Sequence, residues 1–164
     1  MTKLLLLLKG DRRGLTLLEM LIALVILSIL AGAVLPMAEM SVKRTKEMEL
    51  RRALRLIRTA IDEYHDDFLE AKRQGTIQVT VDDIGYPKEL DDLVKGVDWG
   101  NLYPYKKKYL RRIPPDPFAP EGEGWGLRSY QDDPDSTVWG GENVYDVYSQ
   151  SDGIAIDGTP YNTW

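Results

Sequence analysis

The sequence predicts an α+β protein, with a long N-terminal helix, transmembrane in its first half and amphipathic in its second, packed on a small antiparallel β-sheet domain. Three observations carry that reading. From Leu15 to Leu35 the chain is almost continuously apolar for 21 residues, enough at 1.5 Å per residue to cross a hydrocarbon layer of about 30 Å. Between Leu50 and Phe68 apolar side chains recur every three or four residues, as on one face of a helix. Beyond Gly75 the chain divides into short apolar runs separated by Gly, Pro and Asp, the pattern of short strands and turns.

Residues 1–14 are a basic leader with a five-leucine run, Leu4 to Leu8, too short to span a bilayer. They end in Lys9-Gly10-Asp11-Arg12-Arg13-Gly14, followed by Leu15-Thr16-Leu17-Leu18-Glu19. Residues 15–36 form the spanning segment. Glu19 is its one carboxylate, and an ionised side chain at the centre of a membrane helix costs about 2.5–3.5 kcal/mol on insertion scales, so a partner or a function has to compensate it. A basic start, an apolar core and Ala31-Gly32-Ala33 also suit an exported soluble protein with a removable signal. The apolar core of such a signal is about 7–15 residues and carries no acid, which the 21-residue stretch with Glu19 does not match. Charge does not settle orientation, because Lys43, Arg44, Lys46, Arg51 and Arg52 balance the basic leader across the span.

Residues 37–164 form one outer domain that begins with the second half of the helix. The simplest helix runs from Leu15 to Arg73, about 88 Å at 1.5 Å per residue. Its buried face should be Leu50, Ala53, Leu54, Ile57, Ala60, Ile61, Tyr64 and Phe68, and Glu47 stands four residues before Arg51 in the order that favours a helix ion pair. Pro36 has no N–H to offer the carbonyl of Gly32, so a kink is expected between Gly32 and Pro36. Thr76 to Val81 alternates as a strand would, Gly85 to Val94 reads as a turn and a short helix burying Leu90, Leu93 and Val94, and Tyr109 to Phe118 is proline-fixed extended chain. Trp125 to Tyr130 and Asn143 to Ser149 are the expected sheet strands.

Charge divides along the chain: residues 1–59 carry 11 Lys and Arg against 5 Asp and Glu, and residues 60–164 carry 10 against 21. An acidic outer domain is a poor general ligand for phosphate backbones, although Lys106, Lys107, Lys108, Arg111 and Arg112 stand among Tyr103, Tyr105 and Tyr109. His65 beside Asp66 and Asp67 is expected on a solvated helix face, and the four tryptophans as packing residues. The chain has no cysteine, so no disulfide can hold its loops. It has no phosphate loop, nucleophile elbow or zinc spacing, and is not expected to be an enzyme.

The leader ending in Gly14, with Thr16 and Glu19 behind it, resembles the processing site of type IV pilins and the pseudopilins of type II secretion. Tyr86-Pro87, the run from Tyr109 to Pro117, Tyr145 to Ser149, Asp152-Gly153 and Trp164 narrow the resemblance to the major pseudopilin of type II secretion. It implies a type IV pilin-like fold and cleavage after Gly14 by a prepilin peptidase, with methylation of the new N-terminus at Leu15. It implies assembly through residues 15–36 into a periplasmic filament that drives protein secretion, with Glu19 meeting the amine of Leu15. The partners would be further copies of the chain, minor pseudopilins, the peptidase and an inner-membrane assembly platform. The subunit would cross the inner membrane once, N-terminus in the cytoplasm and outer domain in the periplasm. Such subunits also bind calcium in the C-terminal loop, where Ser149, Asp152 and Asp157 would supply oxygens; ordinary Asp-Gly turns account for the same residues. A type IV pilus or DNA-uptake pilin is the alternative assembly.

Overall fold

A computed structural model describes residues 16–80, 83–120 and 122–164. One helix, α1 (Leu17–Gln74), contributes to two compact units, residues 1–42 and residues 43–164. In the first unit α1 is helical through Gly32 and Pro36. Its apolar side chains are unburied, from Leu17 at 85 % exposure to Val34 at 62 %. Each would gain about 1.5 kcal/mol or more on leaving water. Among the described residues α1 is the helix long and apolar enough to cross a membrane.

The second unit is built on the rest of α1. Leu50, Ala53, Leu54, Ile57, Ala60, Ile61 and Phe68 are buried as their spacing predicts, and Tyr64 is half-buried. The first six join Leu93, Leu110, Trp125, Val144, Val147, Ala155 and Tyr161 in the main core. Phe68 and Ala71 join Trp99 in a smaller cluster at the end of the helix. There α1 stops in a Schellman arrangement: Thr76 N–H donates to the Ala71 carbonyl at 3.0 Å, Gly75 N–H to Lys72 at 3.2 Å, and Gly75 takes φ +68°.

Thr76 to Thr80 is not a strand; Val81 lies outside the described residues. Ile77 and Val79 pack against the Phe68–Trp99 cluster, so their alternation reflects side-chain burial without a neighbouring chain to form a ladder. Gly85 then passes directly over Phe68, where a Cβ would come within 2.2 Å of the ring, and its φ of +86° also selects glycine. The short helix α2 (Asp92–Lys95) follows as expected, with Leu93 buried and Leu90 and Val94 packed on the same core.

The sheet is smaller than its sequence signal. Strands β1 (Gly126–Arg128) and β2 (Asp146–Tyr148) pair antiparallel, with Leu127 opposite Val147. Side chains end the ladder. Ser129 N–H donates to Asp132 Oδ2 at 2.7 Å and Tyr130 N–H to Asn143 Oδ1 at 3.0 Å, which takes the N–H groups of the two residues after β1, one of which a longer ladder would have turned to β2. Two three-residue strands have little stability alone, and Arg58 of α1 fastens β2: its guanidinium donates to Asp146 Oδ1 at 2.7 Å and to the Val147 carbonyl at 3.0 Å.

Ile57, fully buried at the centre of this core, sets a direct test of its dependence on α1. Ile57→Ala should destabilise the outer domain by about 2–5 kcal/mol, read as an earlier thermal transition of tryptophan fluorescence in the detergent-solubilised chain.

Candidate functional site

The start of α1 carries Thr16 and Glu19, the residues expected to serve assembly. Thr16 caps the helix: its hydroxyl accepts the N–H of Glu19 at 3.2 Å and its carbonyl accepts the N–H of Met20 at 3.1 Å. Thr16 and Glu19 thus stand as the first and fourth residues of a Thr-x-x-Glu capping pattern, a local signal that explains their spacing independently of any partner. The acid in the first turn also faces the positive end of the helix dipole. Gly14 and Leu15, the expected processing residues, lie outside the described residues, and with them the amine that would meet Glu19. Among the described residues the Glu19 carboxylate, exposed at the surface of α1, accepts no hydrogen bond.

Further along α1, one stripe of polar side chains holds the C-terminal region. Glu47 does not pair with Arg51. Glu47 is 8 % exposed, and its Oε1 accepts the Ile156 N–H at 2.8 Å and the Tyr161 hydroxyl at 2.9 Å. Arg51 instead reaches Asp157 Oδ2 at 3.2 Å and lies 4.1 Å from the centre of the Trp164 ring. Arg58 completes the stripe by donating to the Trp164 carbonyl at 3.0 Å. Sequence spacing missed these roles because the partners are about a hundred residues away. The signal that was available is Glu47 itself, an acid on the buried face just before Leu50.

The proposed calcium ligands are not gathered into a site. Ser149 is fully buried and its hydroxyl donates to Asp116 Oδ2 at 2.5 Å; Asp116 Oδ1 accepts the Phe118 N–H at 2.8 Å. The Asp157 carboxylate is shared by Arg51 and by the backbone and hydroxyl of Thr159, at 3.0 and 2.6 Å. Those hydrogen bonds, with the Arg51 charge behind them, hold its carboxyl below the usual range. Asp152 is exposed. Among the described residues no three His, Cys, Asp or Glu side chains are grouped to hold a metal. The donors present do not fit a calcium ion, which takes 6–8 oxygens and would have to displace a guanidinium here.

The basic–aromatic segment is likewise divided. Lys107 turns inward to Asp67 at 2.6 Å, and the hydroxyls of Tyr103 and Tyr109 donate to the same carboxylate at 2.9 and 2.5 Å. Burial pushes the Asp67 carboxyl up, but the bonds from Lys107, Tyr109 and Tyr103 and the charge of Lys107 outweigh it and leave it below the usual range. Lys106, Lys108, Arg111 and Arg112 remain exposed. His65 is half-buried and not on a solvated face: it stacks on Tyr86 with ring centres 4.3 Å apart, and its Nδ1 lies 3.2 Å from the Gly85 carbonyl oxygen.

Residues 9–35 match the prokaryotic N-terminal methylation motif. The matched stretch holds the leader junction, Thr16, Glu19 and the exposed apolar helix. No curated protein and no solved structure matches the chain. The match covers the processing signal alone: residues 9–35 are a type IV pilin-like prepilin signal, which makes the chain a substrate of prepilin processing, and proteins of this motif family are structural subunits, not enzymes.

Two outcomes follow from the C-terminal clamp. Tyr161 is pushed up to about 12 by burial first and then by the bond to Glu47 and its charge. Unfolded tyrosine ionises near pH 10, so the stability present below that pH should be lost as pH rises toward 12, when the unfolded chain releases a proton the fold retains. A pH series of thermal melts reads this, and Tyr161→Phe should reduce the decline without abolishing it, because burial raises the hydroxyls of Tyr64, Tyr86 and Tyr109 as well. Because Arg51 and Glu47 hold the loop, a chelator should leave the melting temperature unchanged, whereas Glu47→Ala should cost about 1–3 kcal/mol by leaving two donors unpaired.

Proposed function

We propose that this chain is the major subunit of a type II secretion pseudopilus. The observation that carries the proposal is the methylation motif at residues 9–35, leading directly into a helix that is apolar, exposed and marked by one acid in its first turn. Cleavage after Gly14 exposes the Leu15 amine, and its methylation makes the mature N-terminus. The helix waits in the inner membrane with its N-terminus in the cytoplasm and the outer domain in the periplasm. An assembly platform then draws it out of lipid and against other copies. Minor pseudopilins share the same filament.

Lipid and a bundle of apolar helices are nearly equivalent surroundings for Leu17 to Val34, so the transfer by itself has little driving force. Glu19 changes the balance. In the bilayer its charge is costly; in a filament core it meets the amine of Leu15 on its own or a neighbouring subunit. That pairing fixes the register of the helices, because a displaced subunit would bury an uncompensated charge.

Support for the narrower assignment comes from the way the motif residues meet. The Pro87 carbonyl accepts the Val144 N–H at 2.7 Å, next to Tyr145, which leads into β2. The Asp116 of the proline run takes the Ser149 hydroxyl, and Trp164 receives both Arg51 and Arg58. Segments that resemble the major pseudopilin are thus mutual neighbours in one domain.

Mass spectrometry of the mature protein should find methylated Leu15 at its N-terminus; a start near Val34 would replace this reading with ordinary export. Glu19→Ala should leave cleavage and membrane insertion intact and raise the subunit concentration needed for assembly about tenfold, the equivalent of about 1.4 kcal/mol per added subunit, so that filament yield falls. Sheared filaments quantified by immunoblot check the second outcome, and wild-type yield from the variant would remove Glu19 from the mechanism.

A further inference from the structure

The outer domain carries two surface features that complement each other and are not neutralised within the chain. The first is a groove between α1 and the proline run. Leu56, 52 % exposed, forms its floor with Pro114 and Pro115, and the floor is shared by two adjoining hollows of about 400 and 500 Å³. Lys46 and Arg52 rim one hollow, Arg111 and Arg112 the other, and Glu49 is the carboxylate on the rim. Among the described residues, Arg52, Arg111 and Arg112 have no ion-pair partner.

The second feature is the loop of residues 131–142, which holds Asp132, Asp133, Asp135 and Glu142 and no Lys or Arg. At its tip Val138 is 76 % exposed and Trp139 38 % exposed. The loop is held from within: buried Arg128 donates to the Ser136 carbonyl at 2.9 Å, Asp132 Oδ2 accepts the N–H groups of Ser129 and Gly140, and Trp139 Nε1 donates to the Asn143 carbonyl at 2.8 Å. A loop already ordered loses little entropy when it docks.

We infer that the acidic loop of one subunit, led by Val138 and Trp139, docks in the basic-rimmed groove over Leu56, Pro114 and Pro115 of the next. The inference rests on the filament reading above and supplies an outer-domain contact for it. Charge complementarity selects the occupant: the exposed carboxylates of Asp133, Asp135 and Glu142 meet a rim of guanidinium groups that have no ion-pair partner among the described residues, while apolar side chains exposed on each side leave water together. Loop and groove are different patches carried by every copy. A contact between unlike patches is heterologous and, unless it closes into a ring, repeats without end, which is the geometry a filament needs.

The absence of cysteine gives a clean background for the test. Leu56→Cys and Val138→Cys are introduced together in the full-length chain in its membrane, and oxidation with copper phenanthroline is followed on non-reducing gels. A disulfide forms only when Cα atoms come within about 7 Å. The double variant should give a ladder of dimers, trimers and larger species, and each single variant nothing beyond a dimer. Adding Arg111→Glu and Arg112→Glu should weaken the ladder about tenfold, and Asp133→Lys with Asp135→Lys should restore it. Sheared filaments from the same cells report the filament reading separately. Filaments without a ladder overturn the docking, including the case where a different protein occupies the groove, and leave the filament reading standing. A ladder without filaments supports the docking and counts against the filament reading; neither product overturns both. A ladder undiminished by the Arg-to-Glu changes overturns the charge-guided contact.

Discussion

Everything in the outer domain depends on one face of α1. Two strands of three residues and a four-residue helix cannot bury enough apolar surface to fold by themselves. Leu50, Leu54, Ile57 and Ile61 supply the missing surface as a single rigid stripe. Leu93, Trp125, Val144, Val147 and Tyr161 are then brought together by packing on that stripe more than by packing on each other through regular structure. The long proline-fixed and glycine-turned connections become possible for the same reason. Their backbone needs no ladder where side chains anchor it, as Trp125 Nε1 does by donating to the Pro114 carbonyl at 2.8 Å.

Polar side chains of the same helix do the work that disulfides do in many exported domains. Glu47 and Arg51 hold the segment from Ile156 to Trp164, Arg58 holds β2, and Asp67 gathers Tyr103, Lys107 and Tyr109. These partners are spread along α1 and receive separate segments of the chain. Partly buried, charge-assisted bonds of this kind exceed ordinary surface ion pairs in strength, and removing one partner strands the other. A cysteine-free domain can therefore be closed by bonds that form without an oxidant.

The first part of α1 follows the opposite rule. From Leu17 to Val34 its large apolar side chains are left uncovered, a surface whose burial would be favourable. A capping hydroxyl at Thr16 gives the helix a defined beginning, so that Glu19 always lies in the first turn. The chain thus divides along α1: the outer domain is completed on the face that starts at Glu47, while the apolar side chains before it are left uncovered, which is what the proposed assembly would use.

Periodicity alone determined the helix, its buried face and its apolar segment, because a 3.6-residue repeat depends only on local geometry. The same holds for the acid at position 19, whose cost in an apolar stretch needs no knowledge of the fold. The shortness of the strands was not legible, since it follows from Asp132 and Asn143 taking the N–H groups of Ser129 and Tyr130. Nor was the loss of the strand at Thr76, where alternation records packing on Trp99 in place of sheet pairing. Helical spacing pairs Glu47 with Arg51, and the family resemblance assigns Asp157 to a metal. Only the tertiary structure decided that Glu47 binds Tyr161 and Arg51 binds Asp157, because a charged side chain goes to the partner that best replaces its lost water, and that partner is brought near by the fold.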